Sequence, residues 1–116
     1  MSRPISPLAL RTTLAVLSTL AALAAAAPAR AGDLAAGQTK AHMCSVCHGP
    51  IGMAVAPETP NLAGQPPGYL ASQLRHYRDG SRKHAVMTVM AKTLSDADID
   101  NLAAWFSSIK VEATAP

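Results

Sequence analysis

Aromatic side chains are scarce in this 116-residue sequence: Trp105, Phe106, Tyr69 and Tyr77 are the whole complement. A small chain buries a low fraction of its surface, and four rings do little to fill a core, so some staple or bound group has to help. Cysteine is equally thin. Only Cys44 and Cys47 are present, and a disulfide between them would close too short a loop to stabilise much. No alternating apolar and polar stretch of useful length occurs, which argues against a sheet. Internal repeats are missing as well.

The opening MSRPISPLALRTTLAVLSTLAALAAAAPARA has the make-up of a secretory signal peptide. Arg3 and Arg11 flank the start, Thr12 to Ala27 are apolar and rich in alanine, and Ala29 and Ala31 offer small residues for cleavage after Ala31. Its apolar run falls short of the roughly 20 residues a spanning helix needs. Residues 1–31 are therefore expected to be removed, leaving 32–116 as one domain without stable membrane insertion. The formal net charge of +3 includes Arg3, Arg11 and Arg30; without these three, seven basic residues face seven acidic ones and the net is zero. A neutral domain has no overall field to attract a polyanion, so nucleic-acid binding is excluded.

The remaining segment reads as all-α, with about three main helices and long loops. Asp33 is placed to cap a first helix over Leu34–Cys47, in which Gly37 costs stability unless a second helix approaches closely there. A second follows Pro66 and Pro67, with Leu70, Leu74 and Tyr77 on one face and Gly80 as its end. The third is the clearest: Ser95 and Asp98 form a capping-box pair, Asp96, Asp98 and Asp100 favour the positive end of the dipole, and Ile99, Leu102, Ala103 and Phe106 make one stripe. Between the first two helices lie about twenty residues rich in proline and glycine, a length that points to wrapping around something functional. Ile51, Met53, Val55 and Leu62 are too apolar for a solvated linker. The segment HAVMTVMAKTLSD reads as a short loop ahead of the third helix.

Within AHMCSVCHGP, the unit Cys44-Ser-Val-Cys47-His48 has three chemical readings. A thioredoxin-like redox pair needs a βαβ setting, which is missing. A zinc site would join Cys44, Cys47 and His48 to a distant His76 or His84, an unusual arrangement with adjacent Cys and His ligands. Covalent haem attachment needs two thiols on one face of a helical turn, as at i and i+3, followed by an imidazole for the iron. The export signal and the missing core favour haem.

Together with PNLAGQPPGYLASQLRHYRDGSRKH and MTVMAKTLSDADIDNLAAWFSSI, this motif makes the chain resemble the small soluble bacterial class I cytochromes c, in particular single-haem relatives of the cytochrome c4 branch. The resemblance covers essentially the whole segment after the signal. It implies the class I cytochrome c fold around one haem c per chain. On this likeness Cys44 and Cys47 match the thioether cysteines, and His48 matches the proximal iron ligand. Pro60 offers a carbonyl to the other ring nitrogen of His48, and Leu62 packs at the haem. Met87 is the expected distal ligand, with Met90 as second choice and an apolar gap-filler otherwise. His84, three residues from Met87, is a competitor whose ligation would lower the potential. The family crosses its first and last helices, which would place Gly37 against Leu102 or Trp105, the latter a tyrosine in many members.

The function implied is one-electron transfer in the periplasm between redox protein partners, by a monomer or weak dimer, without enzymatic activity. The alternatives are an electron-accepting subunit of a dehydrogenase complex and a five-coordinate haem enzyme or gas sensor. The basic run Arg75, Arg78, Arg82 and Lys83 is expected either to orient the carrier on an acidic partner or to be ordinary solvated surface, with Arg82 a candidate for a haem propionate.

Overall fold

Asp33 starts the first helix, α1 (Leu34–Ala41), because its carboxylate accepts from the backbone N–H groups of Ala35 and Ala36 at 2.9 and 3.0 Å. A computed structural model of the chain describes residues 31–115, so the signal expected over 1–31 lies outside the described residues except for Ala31. The helix expected to continue to Cys47 is interrupted. A 3₁₀ turn spans His42–Cys44, and a one-turn helix, α2, spans Ser45–His48. Ser45 Oγ donates to the His42 carbonyl at 2.8 Å across the junction of the two.

Pro67 opens α3 (Pro67–Asp79), where the missing N–H costs nothing, and Gly80 closes it in the left-handed conformation. The segment read as a loop then forms a further helix, α4 (Ala85–Lys92). Its start is capped by His84 rather than by a residue with strong capping preference, so the usual start signal is missing from the sequence. The last helix, α5 (Asp96–Ser108), carries the full capping box between Ser95 and Asp98. The fold thus has four longer helices where about three were expected, and the described residues contain no strand.

The stripe Ile99, Leu102, Ala103 and Phe106 is buried and gathers Ala41, Leu70, Ala71 and Leu94 into one core, with Leu62, Leu74 and Trp105 packed at its margin. α1 and α3 both lie on α5, and α4 packs on α3. Contact between α1 and α5 is backbone to backbone. A β-carbon on Gly37 would overlap the carbonyl of Asn101 and lie 2.9 Å from the β-carbon of Trp105. Asn101 also ties the crossing from its side chain, accepting from the Asp33 N–H at 2.7 Å.

Residues 49–66 form an irregular but pinned loop. Val55 and Ala56 donate to the Cys47 carbonyl at 3.1 and 3.2 Å, Leu62 and Ala63 donate to the Gly52 carbonyl, and Gly64 donates to the Phe106 carbonyl at 2.9 Å. Gly52 is required where it stands: its φ is +80°, and a β-carbon there would meet the Phe106 ring at 2.7 Å. Among the described residues no helix is long and apolar enough to cross a membrane.

Two consequences can be measured. Gly37→Ala should destabilise the folded protein by about 1–3 kcal/mol and Gly37→Leu by more, because the Asn101 backbone has to move; thermal midpoints by circular dichroism test this. The Asp98 carboxyl is held below its usual range by hydrogen bonds from Ser95 and, less strongly, by Lys40, and Asp96 is lowered by Arg78. Carboxylates depressed in the folded state stabilise it above roughly pH 4, and that contribution is lost as pH falls through the folded values. Stability from denaturant titrations should therefore decline below about pH 4, and less steeply in Asp98→Asn.

Candidate functional site

Among the described residues His48 is the one buried polar or charged side chain, with 7 % of its surface exposed. It sits at the end of α2, where Gly49, with φ of +76°, turns the chain into the loop. Its Nδ1 lies 2.8 Å from the Pro60 carbonyl oxygen. A carbonyl only accepts, so Nδ1 carries the proton and Nε2 keeps its lone pair. The chain has spent one ring nitrogen on fixing the tautomer and left the other as a base.

The acceptor is itself held in place. Asn61 Oδ1, next to Pro60, accepts from Ala54 N–H at 2.7 Å, and the bonds from Val55 and Ala56 fasten the same loop to the Cys47 carbonyl. Cys44 and Cys47 are half-buried, not joined to each other, and lie on either side of the 3₁₀-to-α2 junction. Burial pushes the Cys44 thiol up to about 11 despite nearby Lys40, which disfavours a redox nucleophile there at neutral pH. The described residues hold no cluster of three or more His, Cys, Asp and Glu side chains suited to a metal ion, which leaves the zinc reading without a fourth ligand from His76 or His84.

Met87 and Met90 are both half-buried on α4. His84 is engaged in capping, its Nδ1 accepting from Val86 and Met87 N–H at 3.3 Å each. Leu62 packs against the core margin, while Ile51, Met53 and Val55 lie on the protein surface. Two thiols in one turn, a tautomer-fixed imidazole, thioethers on a separate helix and an apolar loop suit a covalently attached haem. Every donor a six-coordinate iron would need is of the right chemical type.

Comparison with known proteins agrees. The family model described as cytochrome c oxidase, cbb3-type, subunit III matches residues 28–106. The chain belongs to the cytochrome c family. It is 52% identical over 81 residues to cytochrome c-554(548) of Halomonas halodenitrificans, covering 67% of this chain and 98% of that one. The thiosulfate dehydrogenase electron acceptor of Thiomonas intermedia is 48% identical over 102 residues, covering 87% of this chain and 45% of that one. The crystal structure of reduced recombinant cytochrome c4 from Pseudomonas stutzeri superposes with a TM-score of 0.65 at 45% identity, covering 69% of this chain and 47% of that one. This cytochrome therefore spans nearly all of the first relative and under half of the other two. It carries covalently bound haem c and serves electron transfer rather than enzymatic catalysis.

The structure gives the arginines of the basic run partners within the chain. Arg75 Nη2 meets Asp100 Oδ1 at 2.7 Å, and Arg78 pairs with Asp96 while Nη1 donates to the Leu94 carbonyl at 3.0 Å. These arginines clamp α3 to α5. Arg82 lies 4.7 Å from the Tyr77 ring centroid and donates to Gln73, so its side chain is committed to α3. The sequence shows such charges but not their partners, which are 25 residues away for Arg75 and 18 for Arg78.

Because the Leu94 carbonyl belongs to a buried residue, Arg78→Gln should lower stability by about 1–2 kcal/mol. Lys83→Gln, on exposed surface, should change it by less than about 0.5 kcal/mol. Denaturant midpoints of the two haem-loaded variants decide between clamp and ornament.

Proposed function

We propose that residues 32–116, released from a signal peptide at 1–31, act as a single-haem electron carrier in the periplasm. In this reading Cys44 and Cys47 hold the haem through thioethers, His48 Nε2 is the proximal iron ligand and Met87 the distal one, with Met90 filling apolar space beside it. The observation that carries the reading is the buried His48 with Nδ1 committed to Pro60. A core histidine satisfied for stability alone has no need of a pinned loop that frees its other nitrogen.

The bound haem supplies one-electron cycling between Fe(III) and Fe(II). What the chain adds is control of that couple. A Met87 thioether on the iron would favour the reduced state and raise the potential, whereas the Pro60 carbonyl would make the His48 imidazole a stronger donor and temper the rise. With His48 and Met87 both holding the iron, no site would be left for a substrate, and exchange would be with proteins that dock briefly over small contacts. Leu62, at the margin of the core, would meet the haem and limit water there.

A specific similarity supports a narrower assignment of partner. One relative is named a thiosulfate dehydrogenase electron acceptor, and this chain matches it over 87% of its own length. The donor is then a dehydrogenase oxidising sulfur compounds, with this cytochrome as the chain that carries its electrons away.

Optical spectra of the haem-loaded protein test the ligand set. Wild type and Met90→Ala should show the near-infrared charge-transfer band of iron bound to thioether sulfur, and Met87→Ala should lose it and bind carbon monoxide readily when reduced. A wild type without that band that binds carbon monoxide at neutral pH would overturn the carrier reading in favour of an open iron suited to catalysis or sensing.

A further inference from the structure

His84 performs two tasks that smaller capping residues do not combine. Through Nδ1 it accepts from the N–H groups of Val86 and Met87, which lie in the first turn of α4 and have no acceptor within the helix. Its own N–H donates to Thr88 Oγ1 at 3.0 Å, and its carbonyl accepts the first helical bond from Thr88 at 3.0 Å. Meanwhile the imidazole meets the Tyr77 ring edge-on, with centroids 6.5 Å apart and planes at 72°. Tyr77 lies near the end of α3 and also carries the Arg82 guanidinium over its ring, itself bonded to Gln73 of the same helix. A chain of contacts thus runs from α3 through Tyr77 and His84 into the turn that holds Met87.

Serine, threonine, aspartate and asparagine are the preferred caps, and each would satisfy the same N–H groups. None carries a ring to rest on Tyr77. α4 has eight residues, too few to hold its shape alone, so its first turn is where fraying would begin. Met87 is the third residue of that turn, and its own N–H is one of the two that His84 binds.

We infer that His84 is a positioning residue: by capping α4 and resting on Tyr77 it fixes the turn that presents Met87, and so governs how readily another ligand displaces the thioether. This rests on the reading of Met87 as the distal ligand. His84 does not compete for the iron; it acts through the backbone of the residue that binds it. Opening of the first turn, not loss of the whole fold, is the event it opposes.

Imidazole titration of the oxidised haem-loaded protein, followed by loss of the near-infrared band, tests this directly. His84→Ala should be displaced at roughly fivefold lower imidazole, the factor expected for removing a typical helix cap. His84→Asn keeps a capping acceptor but not the ring, and its midpoint should fall between those of wild type and the alanine variant. Ser95→Ala removes a cap from α5, away from Met87; it should lower the thermal midpoint yet leave the imidazole midpoint where it was. Equal midpoints for wild type and His84→Ala would overturn the inference, as would an equal shift in Ser95→Ala, which would reduce the effect to general stability. Retention of the band in Met87→Ala would instead overturn the ligand assignment, and this inference with it.

Discussion

The close crossing of α1 and α5 at Gly37 is the constraint on which the rest depends. No side chain separates the two backbones there, and Asn101 contributes both the carbonyl that faces Gly37 and the amide oxygen that receives the Asp33 N–H. The crossing fixes α1, and α1 leads directly into the turn that bears Cys44, Cys47 and His48. From the other side α5 supplies Phe106, whose ring rests on Gly52 and whose carbonyl receives Gly64. One helix therefore locates both the segment with the thiols and the loop that orients His48.

Around that frame the polar interactions divide into two kinds. Those near His48 are short-range and directional: Pro60, Asn61 and the Cys47 carbonyl hold a proline-rich loop so that one carbonyl meets one ring nitrogen. Those between α3 and α5 are ion pairs at the surface, worth little singly, but Arg78 also reaches the carbonyl of Leu94, at the junction between α4 and α5. The second set keeps α3 where Tyr77 can support α4. Charge in this protein is thus used to hold helices together more than to project a field, in keeping with a domain whose acidic and basic residues balance.

Much of this was legible in the sequence, for physical reasons that differ by element. The last helix announced itself because Ser95 and Asp98 form a local pair and its apolar stripe has full helical period; both are properties of a short window. Gly37 was legible as a crossing point because a mid-helix glycine is costly without a contact to require it. The Cys44-Ser-Val-Cys47-His48 unit stands out because its spacing places the three side chains in adjoining turns. What escaped depended on contacts between distant residues or on an unusual local choice. α4 reads as a loop because its cap is a histidine, and the break at His42–Cys44 has no glycine or proline to mark it. The roles of Arg75, Arg78 and Arg82 stay open between docking and plain surface at the level of sequence, because a sequence records charges without the Asp100, Asp96 and Tyr77 beside them.

The α1–α5 crossing also orders events in time. The bond from Asp33 to Asn101 spans 68 positions, so α1 leaves the ribosome well before the surface it packs on has been made. Closing so long a loop is entropically slow, and a short helix such as α1 has little stability to sustain itself in the interval. The turn with Cys44 and Cys47 therefore lacks the support of the α1–α5 crossing until α5 is in reach. The crossing that completes the domain is thus also the contact that must wait for the last helix.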